Sequence, residues 1–190
     1  MEGKDIEIVA FVGMSGSGKS VAVDFLTEKS WPKVYFGGMI LREMERRGIE
    51  RTAESEKAFR EEIRATEGND WVVLQVIDEI HRLVEAGQRK IVLDGVYSWT
   101  EYKILKKEFP RQITFVAIVV PKKLRYKRVS ERVERPFNLQ EIRERDKSEI
   151  ENLEKGGPIA AADYYVLNDG SVAEMHERLA AVLAEIEEAA

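Results

Sequence analysis

Five short apolar segments stand out in the pattern of hydrophobic and polar positions along the chain. They cover residues 6–12, 34–36, 91–93, 113–120 and 164–167. Apart from Glu7 and Thr114, successive positions within each segment are apolar, and most of the segments are rich in β-branched or aromatic residues. Strands that are buried on both faces of a parallel sheet have this pattern, whereas half-exposed strands alternate between apolar and polar residues. The pattern therefore predicts five buried strands.

Amphipathic segments separate the predicted strands. Apolar residues recur at three- and four-residue spacing over residues 72–84 and 172–186, which is typical of helices with one buried face. Pro121 occupies the position at which a helix would begin after the fourth strand. Three further helix starts are indicated by a capping side chain three positions before an acid: Ser98 with Glu101, Asn138 with Glu141, and Ser171 with Glu174.

The alternation of strands and helices predicts the fold class. It is typical of an α/β protein with right-handed crossovers and helices on both faces of a five-stranded parallel sheet, which is a three-layer α/β/α arrangement. The chain has 190 residues and no linker-like stretch, so we expect a single domain over residues 1–190. Residues 37–87 are predicted to form a helical insertion after the second strand. Ligands of such folds bind at the carboxyl ends of the strands.

Composition and charge exclude several classes of protein. The chain has 30 basic and 35 acidic residues and no cysteine, which excludes a disulfide framework, a thiolate metal site and a cysteine nucleophile. Its apolar runs are far shorter than the ~20 residues that span a bilayer, and residues 1–5 lack the basic start of a signal peptide. We therefore expect a cytoplasmic protein with no membrane partner. The net charge of −5 argues against a dedicated nucleic-acid binder.

Residues 13–20 carry the strongest chemical signal. They read GMSGSGKS and match the phosphate-loop motif G-x-x-x-x-G-K-[ST] in full. A predicted strand precedes the motif, and a helical segment over residues 21–27 follows it, which is the context that the motif requires. The alternative is a glycine-rich turn that binds no ligand.

Each residue type in this loop has a physical role in binding phosphate. Glycines allow the backbone to turn so that successive N–H groups point inward, and the following helix adds the positive end of its dipole. Lys19 supplies a cation for the β- and γ-phosphates, and Ser20 offers a hydroxyl to Mg²⁺. The residues expected to contact the nucleotide here are Gly13, Ser15, Gly16, Ser17, Gly18, Lys19, Ser20 and Val21.

Asp94 is the candidate second ligand of the metal. It follows the predicted strand 91–93, and in a parallel sheet the end of that strand lies beside the phosphate loop. A carboxylate at this place can hold Mg²⁺ directly or through water. The alternative is an ordinary Asp-Gly turn after a strand.

Positive charge is concentrated between Pro121 and Pro136, directly after the fourth strand. Arginine binds phosphate oxygens in pairs and stays charged, and a segment that carries arginines over the nucleotide would also exclude water. We therefore expect a lid over residues 122–150, in which Arg128, Arg132 and Arg145 take part in catalysis. The alternatives are a solvated basic helix face and a patch that binds nucleic acid. The basic residues of the segment are Lys122, Lys123, Arg125, Lys127, Arg128, Arg132 and Arg135.

The helical insertion over residues 37–87 is the candidate acceptor side, which would bind the molecule that receives a phosphoryl group. Arg42 lies near the start of a predicted helix, and Arg60 and Arg64 share one face of another helix. These arginines could bind an acceptor phosphate, although Arg60 and Arg64 could equally be ordinary surface residues. No Asp or Glu occurs between Trp31 and Arg42. Because phosphorylation of a hydroxyl usually needs a general base, this absence favours an acceptor that is already phosphorylated, unless Asp94 is the base.

These motifs together resemble those of the nucleoside monophosphate kinase group of P-loop proteins, especially its dephospho-coenzyme A kinase-like and adenylate kinase-like members. Most of the chain takes part in the resemblance. Five segments carry it: residues 13–20 resemble the phosphate loop, 37–42 the Gly-Asp-x-x-Arg segment, 93–95 the Leu-Asp-Gly, 128–145 the lid, and 162–171 the late Ala-Asp…Asn-x-Gly-Ser segment. Two departures concern the acceptor side. Gly38 stands where adenylate kinase-like proteins have Asp, and the acidic residue that dephospho-coenzyme A kinases place after the second strand as a base has no counterpart here.

The resemblance implies ATP as donor, Mg²⁺ as metal and a lid that closes. It also implies that Asn168 and Gly170 lie near the adenine. We therefore expect a kinase that transfers a phosphoryl group from Mg-ATP to a small nucleotide-like acceptor, of the nucleoside monophosphate or dephospho-coenzyme A type, and that works as a monomer or homodimer. The alternatives are a nucleotide-hydrolysing regulator and a nucleic-acid-associated ATPase.

Overall fold

The computed structural model describes residues 6–133 and 136–189. Residues 1–5, on which the expectation about a signal peptide depends, and Arg135 of the basic segment lie outside the described residues. The strands of the described chain are β1 Glu7–Val12, β2 Lys33–Tyr35, β3 Lys90–Asp94, β4 Ile113–Val119 and β5 Tyr164–Leu167. All five predicted strands are therefore confirmed, with ends that differ by at most one residue.

The five strands form one parallel sheet in the order β2-β3-β1-β4-β5. The first strand lies at the centre, where it pairs with β3 on one side and β4 on the other. In the register of the sheet, Asp94 at the end of β3 is the partner of Phe11 on β1 and of Tyr35 on β2. The carboxyl ends of these three strands therefore meet at one edge, as the predicted fold requires.

Helices connect the strands. The first follows β1, a group of three lies between β2 and β3, and two form the region predicted as a lid after β4. No helix in the described part of the chain is long and apolar enough to cross a bilayer. The bounds are α1 Lys19–Thr27, α2 Phe36–Arg46, α3 Ala53–Thr66, α4 Trp71–Glu85, α5 Trp99–Glu108, α6 Lys122–Ser130, α7 Leu139–Glu151, α8 Gly156–Ala160 and α9 Val172–Ala189.

The sheet is buried on both faces, which explains why its strands are continuously apolar. On β1, Ile8 and Ala10 pack in the cluster that includes residues of α4 and α5, while Val9 and Phe11 pack in the cluster with α1 and α9. A third, smaller cluster joins α2 to α3 through the side chains of Ile40, Met44, Phe59 and Ile63. The third cluster gives the helices between β2 and β3 a core of their own.

The helix starts agree with the capping pattern of the sequence. Ser98 and Asn138 each form a capping box with the predicted acid, and the Ser171 and Glu174 pair exchanges the same two hydrogen bonds. Pro121 differs slightly from the prediction, because it is the capping residue before α6 and Lys122 is the first helical residue. The fixed φ of proline suits either position, so the helix still begins where the sequence indicates.

Candidate functional site

The phosphate loop connects the end of β1 to the start of α1. Gly16 and Gly18 have positive φ angles of 85° and 96°, which residues with a side chain rarely adopt. A Cβ atom at Gly16 would collide with the side chain of Val129, and one at Gly18 would collide with the amide of Asn168. Neither glycine donates its N–H to a backbone carbonyl among the described residues. The loop therefore presents free amides at the positive end of a helix, which is an anion-binding arrangement.

Lys19 is the cation of this loop, and its side chain folds back over the loop itself. Its Nζ donates to the carbonyl oxygens of Gly13 at 2.7 Å and Met14 at 3.4 Å. Burial, with a smaller contribution from the positive charge of Lys155, lowers the pKa of Lys19 to about 8. The ammonium group is therefore poorly solvated and gains from a nearby anion. Ser20 and Val21, the other predicted contacts, lie on the first turn of α1.

Ser20 and Asp94 supply oxygen atoms of the kind that Mg²⁺ prefers. Burial raises the pKa of Asp94, while Lys33 and Lys19 act in the opposite direction, so Asp94 lies within electrostatic reach of the phosphate-loop lysine. No group of three or more His, Cys, Asp or Glu residues suited to a metal occurs within residues 6–133 and 136–189. The residues fit Mg²⁺ all the same, because this ion is typically held by one or two protein oxygens together with substrate phosphates and water.

Arg125 joins the loop to the lid region. It is buried, and its guanidinium donates to the carbonyl of Ser15 at 3.0 Å and binds the carboxylate of Asp146 on α7 with two hydrogen bonds. The hydroxyl of Tyr126 donates to the same carboxylate at 2.9 Å. Although burial acts against it, the contact with Arg125 lowers the pKa of Asp146, so the ion pair is maintained at neutral pH. Helices α6 and α7 are thereby fastened to the phosphate loop.

Glu149 of α7 reaches into the loop itself. Its Oε2 accepts a hydrogen bond from the amide of Ser15 at 2.9 Å. Its Oε1 lies 2.8 Å from Nζ of Lys155 and 3.3 Å from Nε of Arg145. Burial alone would raise the pKa of Glu149, but these two cations and the Ser15 amide lower it, so the group is a carboxylate. A buried carboxylate with two cations beside it therefore lies at the Ser15 amide of the phosphate loop.

The three predicted lid arginines have different surroundings. Arg145 is close to the loop, since it pairs with Glu149 and its positive charge contributes to the lowered pKa of Lys19. Arg128 donates instead to the carbonyls of Asn168 at 2.8 Å and Gly170 at 3.1 Å, so it holds the segment after β5. Arg132 lies exposed in the turn after α6. Of the three, only Arg145 lies among the charged groups around the loop.

Asn168 contacts the phosphate loop, and Gly170 lies two residues further along the segment after β5. The Asn168 side chain is buried and donates from Nδ2 to the carbonyl of Ser17 at 2.9 Å. The Ser17 hydroxyl is also buried and has no hydrogen-bond partner among the described residues. Gly170 accepts a hydrogen bond from Arg128. In this structure the segment after β5 thus supports the shape of the loop.

A polar cleft of ≈ 160 Å³ lies between α2 and α4 on the candidate acceptor side. Arg42, Arg46 and Arg82 line it together with Trp71. Arg42 lies 3.3 Å from Glu79, and its side chain is about half exposed. The structure does not bring the other two predicted acceptor residues to this cleft. Arg60 pairs with Glu56 on its own helix at 3.6 Å, and Arg64 lies near enough to Glu101 to influence its pKa.

Two residues of the site, Glu149 and Lys155, lie outside the set that the sequence predicts. Glu149 is one of many acids on the charged helix α7, and no motif distinguishes it from its solvent-facing neighbours. Lys155 precedes Gly-Gly-Pro, which indicates only the end of a helix. Arg125 belongs to the basic segment, but spacing alone does not separate it from the exposed lysines around it. In each case the residue is identified as part of the site by a tertiary contact, which the sequence does not reveal.

Comparison with known proteins shows which family of proteins the chain resembles. A family model described as an AAA domain matches residues 12–154. A UPF0200 protein of Thermococcus gammatolerans is 31% identical over 182 residues, which cover 94% of this chain and 95% of that protein. A UPF0200/UPF0201 protein of Archaeoglobus fulgidus is 31% identical over 181 residues, but the chain spans only 55% of that relative's length.

Solved structures show which fold the chain shares. Dephospho-CoA kinase from Campylobacter jejuni has a TM-score of 0.63 at 15% identity and matches 96% of this chain and 98% of its own. Shikimate kinase from Bacteroides thetaiotaomicron has a TM-score of 0.60 at 12% identity, with 95% and 98% matched. These similarities confirm the predicted P-loop kinase fold with its five-stranded parallel sheet.

Proposed function

Because the chain belongs to the UPF0200 family and matches the AAA-domain model over residues 12–154, we propose that it is a Mg²⁺- and ATP-dependent kinase. The observation that carries the proposal is the phosphate loop, where free amides, Lys19 and Asp94 come together at one edge of the sheet. We propose further that the acceptor is a small molecule that already carries a phosphate, as a nucleoside monophosphate or dephospho-coenzyme A does.

In the proposed reaction an ionised phosphate oxygen of the acceptor, which has no proton to lose, attacks the γ-phosphorus of ATP, and the bond from that phosphorus to the β–γ bridging oxygen breaks, so that ADP leaves. Where the attacking oxygen is a hydroxyl, as in dephospho-coenzyme A, Asp94 would take its proton. The amides of the loop and the N-terminus of α1 hold the β- and γ-phosphates. Lys19 turns from the carbonyls of Gly13 and Met14 towards these phosphates. Mg²⁺, held by Ser20 and Asp94, would neutralise charge on the transferring group. Arg145 adds a further positive charge on the lid side.

The chemistry of the acceptor cleft supports an anionic acceptor. Three arginines and Glu43 line the cleft, and Glu43 binds Arg46 with two hydrogen bonds. Arg42 and Arg82 share Glu79 as their ion-pair partner at 3.3 Å each, so three arginines face two acids. Arginine binds phosphate oxygens with two parallel hydrogen bonds, and Trp71 offers an aromatic surface beside them. An acceptor that reacts through its ionised phosphate oxygen, as a nucleoside monophosphate does, needs no general base, which agrees with the absence of an acid between Trp31 and Arg42. The cleft supports Arg42 as the acceptor ligand more strongly than Arg60 or Arg64.

The proposal is tested by a screen for transfer of labelled γ-phosphate from Mg-ATP to nucleoside monophosphates, dephospho-coenzyme A and nucleosides. We expect label in one of the phosphorylated acceptors. Arg42→Ala should raise KM for that acceptor about tenfold or more, since a charged hydrogen-bonded contact is lost. Arg51→Ala is the matched control, because Arg51 pairs with Glu56 on the surface and lies outside the cleft.

Three results would contradict the proposal in different ways. Transfer to unphosphorylated nucleosides alone would disprove the phosphorylated acceptor. Hydrolysis of ATP at the same rate with and without every acceptor would favour a nucleotide-hydrolysing regulator. Salt-dependent binding of oligonucleotides that stimulates hydrolysis would favour a nucleic-acid-associated ATPase.

A further inference from the structure

The carboxylate of Glu149 occupies a place that suits a phosphate. The amide of Ser15 belongs to the phosphate loop, and it donates to a carboxylate that comes from 134 residues further along the chain. Glu149 is only 3% exposed, so this is an enclosed contact and not a surface ion pair. A carboxylate oxygen and a phosphate oxygen are both charged acceptors for an amide N–H. A nucleotide phosphate and Glu149 therefore compete for the same donor.

The cations around Glu149 exceed the negative charge that it supplies. Lys155 is 4% exposed, and its Nζ lies 2.8 Å from Glu149, while Arg145 contacts the same carboxylate oxygen. Lys19 lies close enough that the charges of both Glu149 and Lys155 influence its pKa. Burial lowers the pKa of Lys155 as well, although Glu149 acts against that effect. Glu149 thus faces three cations, of which Lys155 is buried and Arg145 is about half exposed, while Asp94 and Glu101 also act on Lys19 and Lys155. A more highly charged anion at this place would interact with the three cations more strongly.

We propose that Glu149 is a built-in competitor of the nucleotide, which fills the phosphate site of the empty protein and is displaced when a nucleotide phosphate binds at Ser15. Lys155 loses its partner in that exchange and becomes a ligand of the phosphate. This inference rests on the proposed binding of ATP by the loop. It adds one competing residue, Glu149, and one phosphate ligand, Lys155, to that site.

The exchange also links the nucleotide to the lid. Glu149 lies one turn after Asp146 and Arg145 on α7, so its displacement acts on the helix that Arg125 fastens to the loop. The Arg125 and Asp146 contact does not involve the Ser15 amide and can persist when Glu149 leaves. Part of the binding free energy is therefore spent on moving Glu149, and removing its charge should strengthen binding.

The test is a calorimetric measurement of ATP affinity for the wild type, Glu149→Gln and Glu149→Asp. Gln removes the charge, and Asp keeps the charge but is too short to bridge Ser15 and Lys155. We expect both variants to bind ATP about tenfold more tightly, since a competing charged hydrogen bond is lost. Adenosine, which has no phosphate, should bind all three proteins equally. Glu144→Gln is the matched control on the exposed side of α7 and should match the wild type.

Lys155→Met, made in the Glu149→Gln background, tests the second part of the inference. There Lys155 has no carboxylate partner to lose, so a role limited to balancing Glu149 predicts unchanged affinity. We expect instead that ATP binding weakens about tenfold, because a charged ligand of the phosphate is removed. Lys147→Met in the same background is the control, since Lys147 lies on the surface of α7 and pairs with Glu151.

Melting temperatures measured with and without ATP distinguish a competitor from a purely structural carboxylate. As a competitor, Glu149→Gln lowers the melting temperature of the empty protein and yet increases the stabilisation that ATP gives. If Glu149 has only a structural role, Glu149→Gln lowers the melting temperature of the empty protein, but ATP binds with unchanged or weaker affinity. That result overturns this inference and leaves the proposed function standing. Failure of ATP to bind any of the proteins overturns both this inference and the proposed function.

Discussion

At the scale of single residues, the charge of Lys19 is the property on which the site depends most. Its ammonium group is enclosed, bonded to two loop carbonyls and close to a second lysine, so it holds its proton less firmly than a surface lysine does. A bound phosphate has the opposite effect, because a nearby negative charge raises the pKa of an ammonium group. Near and above pH 8, the protonation state of Lys19 should therefore differ between the empty and the nucleotide-bound protein.

The first prediction concerns the pH dependence of nucleotide binding. The pKa of Lys19 is about 8 in the empty protein and is raised by bound phosphate, so binding takes up a proton above that pH. Affinity for ATP should accordingly be constant below about pH 7.5 and fall as the pH rises to about 9.5. Calorimetry in two buffers with different ionisation enthalpies measures the proton uptake directly. An affinity that stays constant over this range, without proton uptake, would contradict the prediction.

The sequence predicts some residues of the site and not others for a physical reason. Lys19, Ser20 and the glycines of the loop act through local backbone geometry, so a motif of eight residues is enough to identify them. Glu149 and Lys155 are defined by contacts between distant segments, and their immediate sequence resembles any charged helix and its end. The functional roles of the predicted residues, including Asp94 and Arg42, stay predictions.

At the scale of elements, the lid region is fastened to the loop by Arg125, which also forms a buried ion pair with Asp146, and by Glu149 at the Ser15 amide. Arg125 of α6 and Asp146 of α7 have side chains that are only 8% and 13% exposed. The pair connects two helices to each other, and the further bond from Arg125 to Ser15 connects both to the turn after β1. The position of α7, and with it that of Arg145, therefore depends on Arg125.

Arg125→Met should lower the free energy of unfolding by about 3 kcal/mol, because it leaves the enclosed carboxylate of Asp146 without a cation and with only the Tyr126 hydroxyl as a partner. Lys127→Met is the control on the same helix, since Lys127 is 67% exposed and lies 4.0 Å from Glu131. That change should alter stability by less than about 1 kcal/mol. Chemical denaturation monitored by circular dichroism measures both values. Equal stability of the two variants would show that α6 and α7 are held by other contacts.

The ends of helices and strands show which boundaries can be predicted from the local sequence and which cannot. The capping residues at Ser98 and Asn138 identified the starts of α5 and α7 because a cap is a local hydrogen bond. The hydrophobic pattern predicts that the second strand ends at Phe36, but Phe36 is the first residue of α2 and is buried in the core. An aromatic residue at such a boundary suits either element, so tertiary packing decides.

At the scale of the whole molecule, the parallel sheet brings distant segments to one place. Bonds to the phosphate loop come from residues that are 110, 134 and 151 positions away from their partners, namely Arg125, Glu149 and Asn168. The fold class and all five strands followed from the hydrophobic pattern, because burial on both faces leaves a continuous apolar signal. The assignment of residues 37–87 to the acceptor and 122–150 to a closing lid stays a prediction.

The most direct test of the account is a calorimetric titration of the protein with ATP in the presence of Mg²⁺, beside the same titration of Lys19→Ala. The account predicts one nucleotide bound per chain, and a loss of affinity of about a hundredfold when the ammonium group is removed from a variant whose circular dichroism is unchanged. Absence of binding by the wild type at millimolar ATP, or equal binding by the folded variant, would contradict it.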